Sequence, residues 1–346
     1  MMHVRLSIVL CVFVVPLLLN AQTSVVNSKH NMSTGGPGTV IASTEGAVCV
    51  FCHTPHSAST TQTNAPLWNR QSSTATYTLY SSDYLTSLSY PSPVQPNAKS
   101  KLCLSCHDGT IALGTVYNAP GAGTSITMAN SVTTMPTNAG GYLGTNLGDD
   151  HPVGFIYDRS KDPELVYRAW AWNTAVKLDP DASTGRLECH TCHDVHDNQY
   201  THFLQMSNTN AGLCTFCHSK TGWTGANVIH RTSTQSYTPP GSSTTTIGEW
   251  SCRNCHTSHG AGTGGYLLED TEEATCLQAA CHGSSAASTN LNIAGQYDVT
   301  KTYKHPTTTT TGAHKNPEDA TYMSSNRHAE CWDCHNPHEA ESGTHT

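Results

Sequence analysis

Seven times in this chain, a histidine directly follows the second cysteine of a closely spaced pair. Six of these motifs have the form C-x-x-C-H, and the sixth in chain order, CLQAACH, has four residues between its cysteines. This arrangement is the signature for covalent attachment of c-type haem, in which both thiols bond the porphyrin and the adjacent histidine binds its iron. The sequence therefore predicts seven haem sites, numbered 1 to 7 along the chain.

The predicted attachment residues are two cysteines and one proximal histidine for each site. The cysteines are Cys49, Cys52, Cys103, Cys106, Cys189, Cys192, Cys214, Cys217, Cys252, Cys255, Cys276, Cys281, Cys331 and Cys334. The proximal histidines are His53, His107, His193, His218, His256, His282 and His335.

Disulfide and zinc sites are the other common uses of paired cysteines. Neither use explains why a histidine follows every second cysteine. The motifs take fourteen of the fifteen cysteines, and the remaining one, Cys11, lies in an apolar leader. Haem attachment is therefore favoured over both alternatives.

Ten further histidines are candidate distal ligands, on the opposite side of the iron. Four of them stand at C-H-x-x-H, where the intervening porphyrin keeps each from its own iron but not from that of a neighbouring haem. Two precede proline, and four stand near motifs or at segment ends. The ten candidates are His30, His56, His151, His196, His230, His259, His305, His314, His328 and His338.

Ten candidates for seven irons favour bis-histidine coordination at every haem. Methionine is the alternative for one site, but the five methionines after the leader have no characteristic placement. Methionine ligation raises the reduction potential of a haem. Low potentials are therefore expected.

Residues 1–21 predict a secretory signal peptide, with a short basic start, an apolar run and a small-residue cleavage point. A membrane anchor is the alternative, but the run is short and Pro16 interrupts it. Since no second apolar run follows, we expect an exported protein, periplasmic or extracellular, without a transmembrane segment. The chain has 17 basic and 25 acidic residues, a net charge of −8, and no basic patch for nucleic acid.

The fold class expected is mostly irregular chain around covalent haems, with short α-helices at the motifs and little β structure. Aliphatic residues show no sustained helical or strand periodicity. Glycine, proline and small polar residues interrupt nearly every segment, and only 12% of residues are charged. Covalent haems would then supply the apolar core that the chain itself lacks.

The motifs form three pairs plus one, which predicts an internal repeat. Residues 22–235 are predicted to hold sites 1 to 4, and residues 251–346 to hold sites 5 to 7. The Ser/Thr/Pro-rich residues 236–250 between them are predicted to be a linker.

Several strings beyond the motifs resemble the doubled-CXXCH multihaem cytochromes c. Among them are VCVFCHTPH, APLWNR, KLCLSCHDGTIALG, DDHPVGF and RHAECWDCHNPH. The resemblance implies a low-potential, bis-histidine electron-transfer protein outside the inner membrane, and some similar proteins polymerise into extracellular filaments. The spacing in CLQAACH departs from the family pattern.

The function expected is electron conduction between redox donor and acceptor proteins or extracellular acceptors, without enzymatic catalysis. A homopolymer is one possible assembly, in which His30 would bind a haem of the next subunit or of its own. A soluble periplasmic shuttle is an alternative. A multihaem reductase is another, and it would need one haem with an open coordination position.

Overall fold

The computed structural model describes residues 24–61, 65–81, 95–166, 176–179, 185–262, 266–286, 291–297, 302–303 and 331–341. The predicted leader, 1–21, and three candidate ligands, His305, His314 and His328, lie outside the described residues.

Most of the described chain is irregular, with short helices and little strand, which confirms the coarse fold prediction. The longest helix, α1, has ten residues. The α-helices are α1 (Ala98–His107), α2 (Cys189–Cys192), α3 (Gly212–Cys217), α4 (Ile229–Thr232), α5 (Ile247–Trp250) and α6 (Glu272–Cys276). The 3-10 helices are Val25–Asn27, Cys49–Phe51, Ala129–Ser131, Thr201–Phe203, Thr209–Ala211, Ser251–Asn254, Ala294–Tyr297 and Cys331–Asp333.

Strand structure in the described residues consists of two short pairs. β1 (Thr78–Leu79) pairs in parallel with β2 (Asn146–Leu147). β3 (Ser236–Tyr237) pairs antiparallel with β4 (Thr245–Thr246). Two-residue strands cannot form a sheet core. β1 and β2 join distant segments of the chain, while β3 and β4 close a short hairpin.

Each of the seven motifs begins in or at the end of a short helical segment. Sites 2, 3, 4 and 6 use α1, α2, α3 and α6, while sites 1, 5 and 7 use 3-10 turns. A helical turn brings residues three and four positions apart onto one face, which gathers the two cysteines and the histidine of a motif.

Apolar side chains form small clusters beside the motifs instead of one central core. The largest cluster includes Phe51 and Leu113, both fully buried, and packs against Cys52 and Cys106. A second cluster includes Cys217 of site 4. Since the clusters adjoin the motif cysteines, the apolar surface of the chain is concentrated where haem attachment is predicted.

The Ser/Thr/Pro-rich residues 236–250 contain β3, β4 and α5. Tyr237 is buried there, and its hydroxyl donates to Gln278 Oε1 of site 6 at 3.3 Å. The division of the chain into a four-haem and a three-haem region stays a prediction.

No helix among the described residues is long and apolar enough to span a membrane.

The side chain of Asn97 caps α1 by accepting from the backbone N–H groups of Lys99 and Ser100, at 2.8 and 3.2 Å. We expect Asn97→Ala to lower the free energy of unfolding by about 1 kcal/mol, because the two N–H groups lose their acceptor. Denaturant unfolding followed by circular dichroism measures this, with Asn97→Ser as the control that keeps a cap. Equal stability of the alanine and serine variants would contradict the capping role.

Candidate functional site

Each motif closes on itself through one backbone hydrogen bond. The N–H of the proximal histidine donates to the carbonyl of the first cysteine, for example at 2.8 Å from His53 to Cys49 and at 3.0 Å from His256 to Cys252. The same bond occurs at sites 3, 4 and 7, at 2.9 to 3.1 Å. This turn fixes the spacing between the two thiols and the imidazole.

Site 6 keeps this bond despite its two additional residues. His282 N–H still donates to the Cys276 carbonyl, at 3.3 Å. The extra residues fold into a tight turn in which Cys281 and Gly283 both donate to the Gln278 carbonyl. A Cβ at Gly283 would lie 2.5 Å from the Leu277 carbonyl oxygen, so only glycine fits this turn. The insertion therefore leaves the Cys-His end of the motif closed in the same way.

Three loops return to sites 1, 3 and 5 and hold the proximal histidines with the same contacts. These return loops are residues 66–70, 202–206 and 266–270. The first carbonyl of each loop lies 2.8 to 3.0 Å from Nδ1 of His53, His193 or His256. A histidine whose Nδ1–H donates to a backbone carbonyl presents Nε2 to a metal, which is the usual support of a metal ligand.

The return loops share their backbone conformation as well. Leu67, Phe203 and Leu267, each second in its loop, have φ values of 55 to 59° in the left-handed region. The fourth residue of each loop donates its N–H to the carbonyl of the second motif cysteine, at 2.8 to 2.9 Å. Three separate segments thus repeat one local structure, as the sequence repeat predicts.

Six of the seven proximal histidines face one of the predicted distal candidates. The ring centroids in these pairs are 6.0 to 6.3 Å apart. The pairs, in order of site, are His53 with His196, His107 with His30, His193 with His259, His218 with His151, His256 with His338, and His282 with His230.

The pairs follow a regular connection along the chain. At sites 1, 3 and 5 the facing histidine is the C-H-x-x-H histidine of the next repeat. At sites 2, 4 and 6 it comes from a segment before the first motif of the same repeat. His30 therefore faces His107 of its own chain.

The spacing within the pairs fits an iron bound between two imidazoles. Two metal–imidazole bonds of ~2 Å, each extended by ~1 Å from the nitrogen to the ring centre, place the centroids about 6 Å apart. Six pairs at nearly the same separation are therefore suited to six-coordinate haem iron.

Burial keeps several of these imidazoles neutral. It lowers the pKa of His30, His151 and His338 to about 4, and facing histidines act in the same direction. Neutral imidazole is the form that binds a metal. At neutral pH these three side chains are therefore ready to act as ligands.

The second cysteines of sites 1, 3 and 5 are not in the ionisation state that binds zinc. Burial raises the pKa of Cys52, Cys192 and Cys255 to about 12, so these thiols are protonated at neutral pH, whereas zinc binds the thiolate. In the described part of the chain, no three histidine, cysteine or acidic side chains converge on one point that could hold a metal ion directly. The fourteen motif cysteines form no disulfide with one another.

His56 is the one described C-H-x-x-H histidine that faces no proximal histidine in the described residues. Its ring is exposed, and it belongs to the repeat that contains sites 1 and 2. The other three candidates outside the six pairs are the ones that lie outside the described residues.

First cysteines of neighbouring sites lie against one another at three junctions. The thiol of Cys103 is in hydrogen-bonding contact with that of Cys189, which joins sites 2 and 3. The same contact joins sites 4 and 5 through Cys214 and Cys252, and sites 6 and 7 through Cys276 and Cys331.

Second cysteines approach one another at the alternate junctions. Each pair is close enough for the two groups to interact electrostatically: Cys52 with Cys106, Cys192 with Cys217, and Cys255 with Cys281. These pairs join sites 1 and 2, 3 and 4, and 5 and 6. Together, the thiol contacts and these electrostatic interactions link neighbouring motifs in sequence order from site 1 to site 7.

Two supporting residues were not anticipated from the motifs. Asp150 is buried and accepts from His259 Nδ1 at 3.0 Å, which orients the ligand that faces site 3. Asn69 donates its side-chain amide to the Val50 carbonyl at 2.6 Å and so fastens a return loop to site 1. Both lie in strings noted for the family resemblance, DDHPVGF and APLWNR, but the strings do not reveal these roles.

Neither a scan against protein-family models nor a search of curated proteins finds a match to this chain.

We expect His196→Ala to open one coordination position, because its imidazole faces His53 and no other described histidine replaces it. About one seventh of the haem in the reduced protein would then bind carbon monoxide, measured as a change in the absorption spectrum. His202→Asn is the matched control, since the His202 side chain is exposed in the same repeat and faces no proximal histidine among the described residues, and asparagine tolerates the left-handed backbone (φ 60°) that this position needs. Equal carbon monoxide binding by the two variants would contradict the assignment of His196.

Proposed function

We propose that this protein is a heptahaem c-type cytochrome that conducts electrons through closely spaced bis-histidine haems outside the cytoplasm. The observation that carries the proposal is the set of six histidine pairs, each with a motif histidine on one side and a distal candidate on the other. Six independent pairs with the spacing of an iron centre are difficult to explain by packing alone.

The fourteen cysteines and the paired histidines fit the predicted group. The thiols would attach each porphyrin, and the facing imidazoles would bind its iron. Bound haem supplies one-electron redox chemistry, while the protein sets distance, orientation and potential. Because adjacent cysteines connect neighbouring sites in sequence order, the route for electrons follows the chain from site 1 to site 7 or the reverse.

Conduction requires no general acid, base or nucleophile, and the paired sites leave no open iron at six of the seven positions. This favours a conductor over a multihaem reductase, which needs an open position beside proton donors. Redox donor and acceptor proteins, or extracellular acceptors, are the partners that such a conductor serves. A periplasmic shuttle would use the same haems.

Intact mass spectrometry tests the proposal on protein matured in a host that attaches c-type haem. We expect the mass of the processed chain plus seven haems, and for Cys276→Ser with Cys281→Ser the mass of six. Attachment at the irregular sixth motif is thereby measured separately. Fewer than seven haems on the unchanged chain, or zinc in their place, would contradict the proposed function.

A polymer is the second candidate, because His56 repeats a position that elsewhere provides a ligand to another repeat. His196, His259 and His338 each face the first site of the preceding repeat. By the same connection, His56 would face the last repeat of a second copy, near site 7. Copies joined in this way would form an open head-to-tail chain.

Electron microscopy of the purified protein tests this assembly. We expect filaments from the unchanged chain and discrete particles from His56→Ala, with seven haems in both. His202→Asn again serves as the control and should leave the filaments intact. Discrete particles from the unchanged chain, or filaments from His56→Ala, would contradict the polymer; the first result would instead favour a soluble shuttle.

A further inference from the structure

Arg70 is a buried cation that has no ion-pair partner among the described residues. Its side chain is fully buried, and its guanidinium donates to four backbone carbonyls, those of Ser105, Ala112, Leu113 and Thr115, at 2.6 to 3.3 Å. Burying such a charge is costly, and carbonyl dipoles offset only part of that cost.

The positive charge of Arg70 reaches the cysteines of two sites. The Arg70 guanidinium donates to the carbonyl of Ser105, the residue before Cys106, at 3.2 Å. Asn69, the residue before Arg70, donates its N–H to the carbonyl of Cys52 at 2.8 Å. Cys52 and Cys106 are the second cysteines of sites 1 and 2, so the guanidinium lies near the attachment edges of both predicted haems. In a buried setting, its field is screened much less than at the surface.

The repeat places an opposite charge at the equivalent junction of sites 5 and 6. Glu269 holds the loop position of Asn69, partly buried, with Oε2 accepting from Gln278 Nε2 at 3.0 Å. The N–H of Glu269 donates to the carbonyl of Cys255 at 2.9 Å, and its side-chain partner Gln278 lies between the two cysteines of site 6.

The last two residues of the three return loops therefore differ in charge along the chain. They are Asn69-Arg70, then Gln205-Met206, then Glu269-Asp270. With one arginine, no charged residue, and two acidic residues, the loops carry +1, 0 and −2. Their backbone contacts are the same, so the repeat varies charge while it conserves structure.

We propose that the charges of the return loops establish a gradient of haem reduction potential, highest at sites 1 and 2 and lowest at sites 5 and 6. This inference rests on the proposed function, since it requires the haems to be bound. Reduction adds one negative charge to a haem, which a nearby cation stabilises and a nearby carboxylate opposes. Electrons that enter near sites 5 and 6 would then relax toward sites 1 and 2.

The charge of Arg70 is expected to raise the reduction potential more at site 1 than at site 2. Asp108 is buried two residues after Cys106, on the side of the motif that also approaches Arg70 through Ser105. The carboxylate accepts from the Tyr77 hydroxyl at 2.7 Å and from Thr110. Site 2 thus has both a cation and an anion beside its second cysteine, whereas Arg70 is the charged residue of the return loop at site 1.

Spectroelectrochemical titration of the holoprotein at pH 8 tests the gradient. Arg70→Met introduces the residue of the second repeat and should shift about two sevenths of the haem absorbance, at the high-potential end, to lower potential. A tenfold fall in the ratio of reduced to oxidised haem at these sites corresponds to about 59 mV for one electron. Arg70→Lys keeps the charge and should retain most of the original curve.

Glu269→Gln introduces the second-repeat residue at the other end and should raise the potential of the low-potential haems. This variant preserves the shape of the side chain, so it tests the potential gradient even if Arg70→Met does not fold. The gradient would be overturned if folded Glu269→Gln left the reduction potential of the low-potential haems unchanged. The gradient would also be overturned if Arg70→Met left the potential of the high-potential haems unchanged. The same holds if Arg70→Lys lowered that potential as much as Arg70→Met does.

Haem content separates this inference from the proposed function. A chain without seven haems would contradict the function itself. Seven haems with titration curves that do not respond to these substitutions would contradict only the gradient.

Discussion

The described structure depends on one constraint: six of the seven proximal histidines face a histidine from a segment far from their own motif. His53 and His196 are separated by an entire repeat, yet their rings lie 6.3 Å apart. The same connection recurs from repeat to repeat, so no repeat can complete its sites alone. This interlocking explains how a chain with small apolar clusters and few regular elements can hold one arrangement. Metal binding would then contribute directly to the free energy of folding.

Short hydrogen-bonded backbone turns hold the cysteines and the proximal histidines of the sites in position. The closed motif turn fixes the thiols, and the return loop directs the proximal imidazole through its Nδ1 bond. Both rely on short-range backbone hydrogen bonds, which tolerate wide variation in side chains. The two-residue insertion at site 6 shows this tolerance, since His282 still bonds to the carbonyl of Cys276. Side chains at the loop ends are then free to differ, and it is there that Arg70 and Glu269 differ in charge.

Much of the fold class and the candidate residues followed from the sequence because motif chemistry is local. The absence of periodicity predicted irregular chain, and the repeated histidine of C-H-x-x-H predicted contact with another site. Which histidine faces which motif could not be predicted, because the pairing depends on how separate repeats pack. The roles of Asp150, Asn69 and Arg70 could not be predicted either. Each depends on a hydrogen bond to a residue distant in the chain, and such a bond leaves no pattern in the sequence. The sequence repeat places the return loops at corresponding positions, but the hydrogen bonds that they share are visible only in the structure.

The most direct test of this account is an anomalous-scattering map recorded at the iron edge from crystals of the mature protein. The account predicts seven iron peaks, six of them between the histidine pairs described above, with neighbouring peaks following the sequence order of the motifs. Iron peaks away from these pairs, or an order that joins sites whose cysteines do not approach one another, would contradict it.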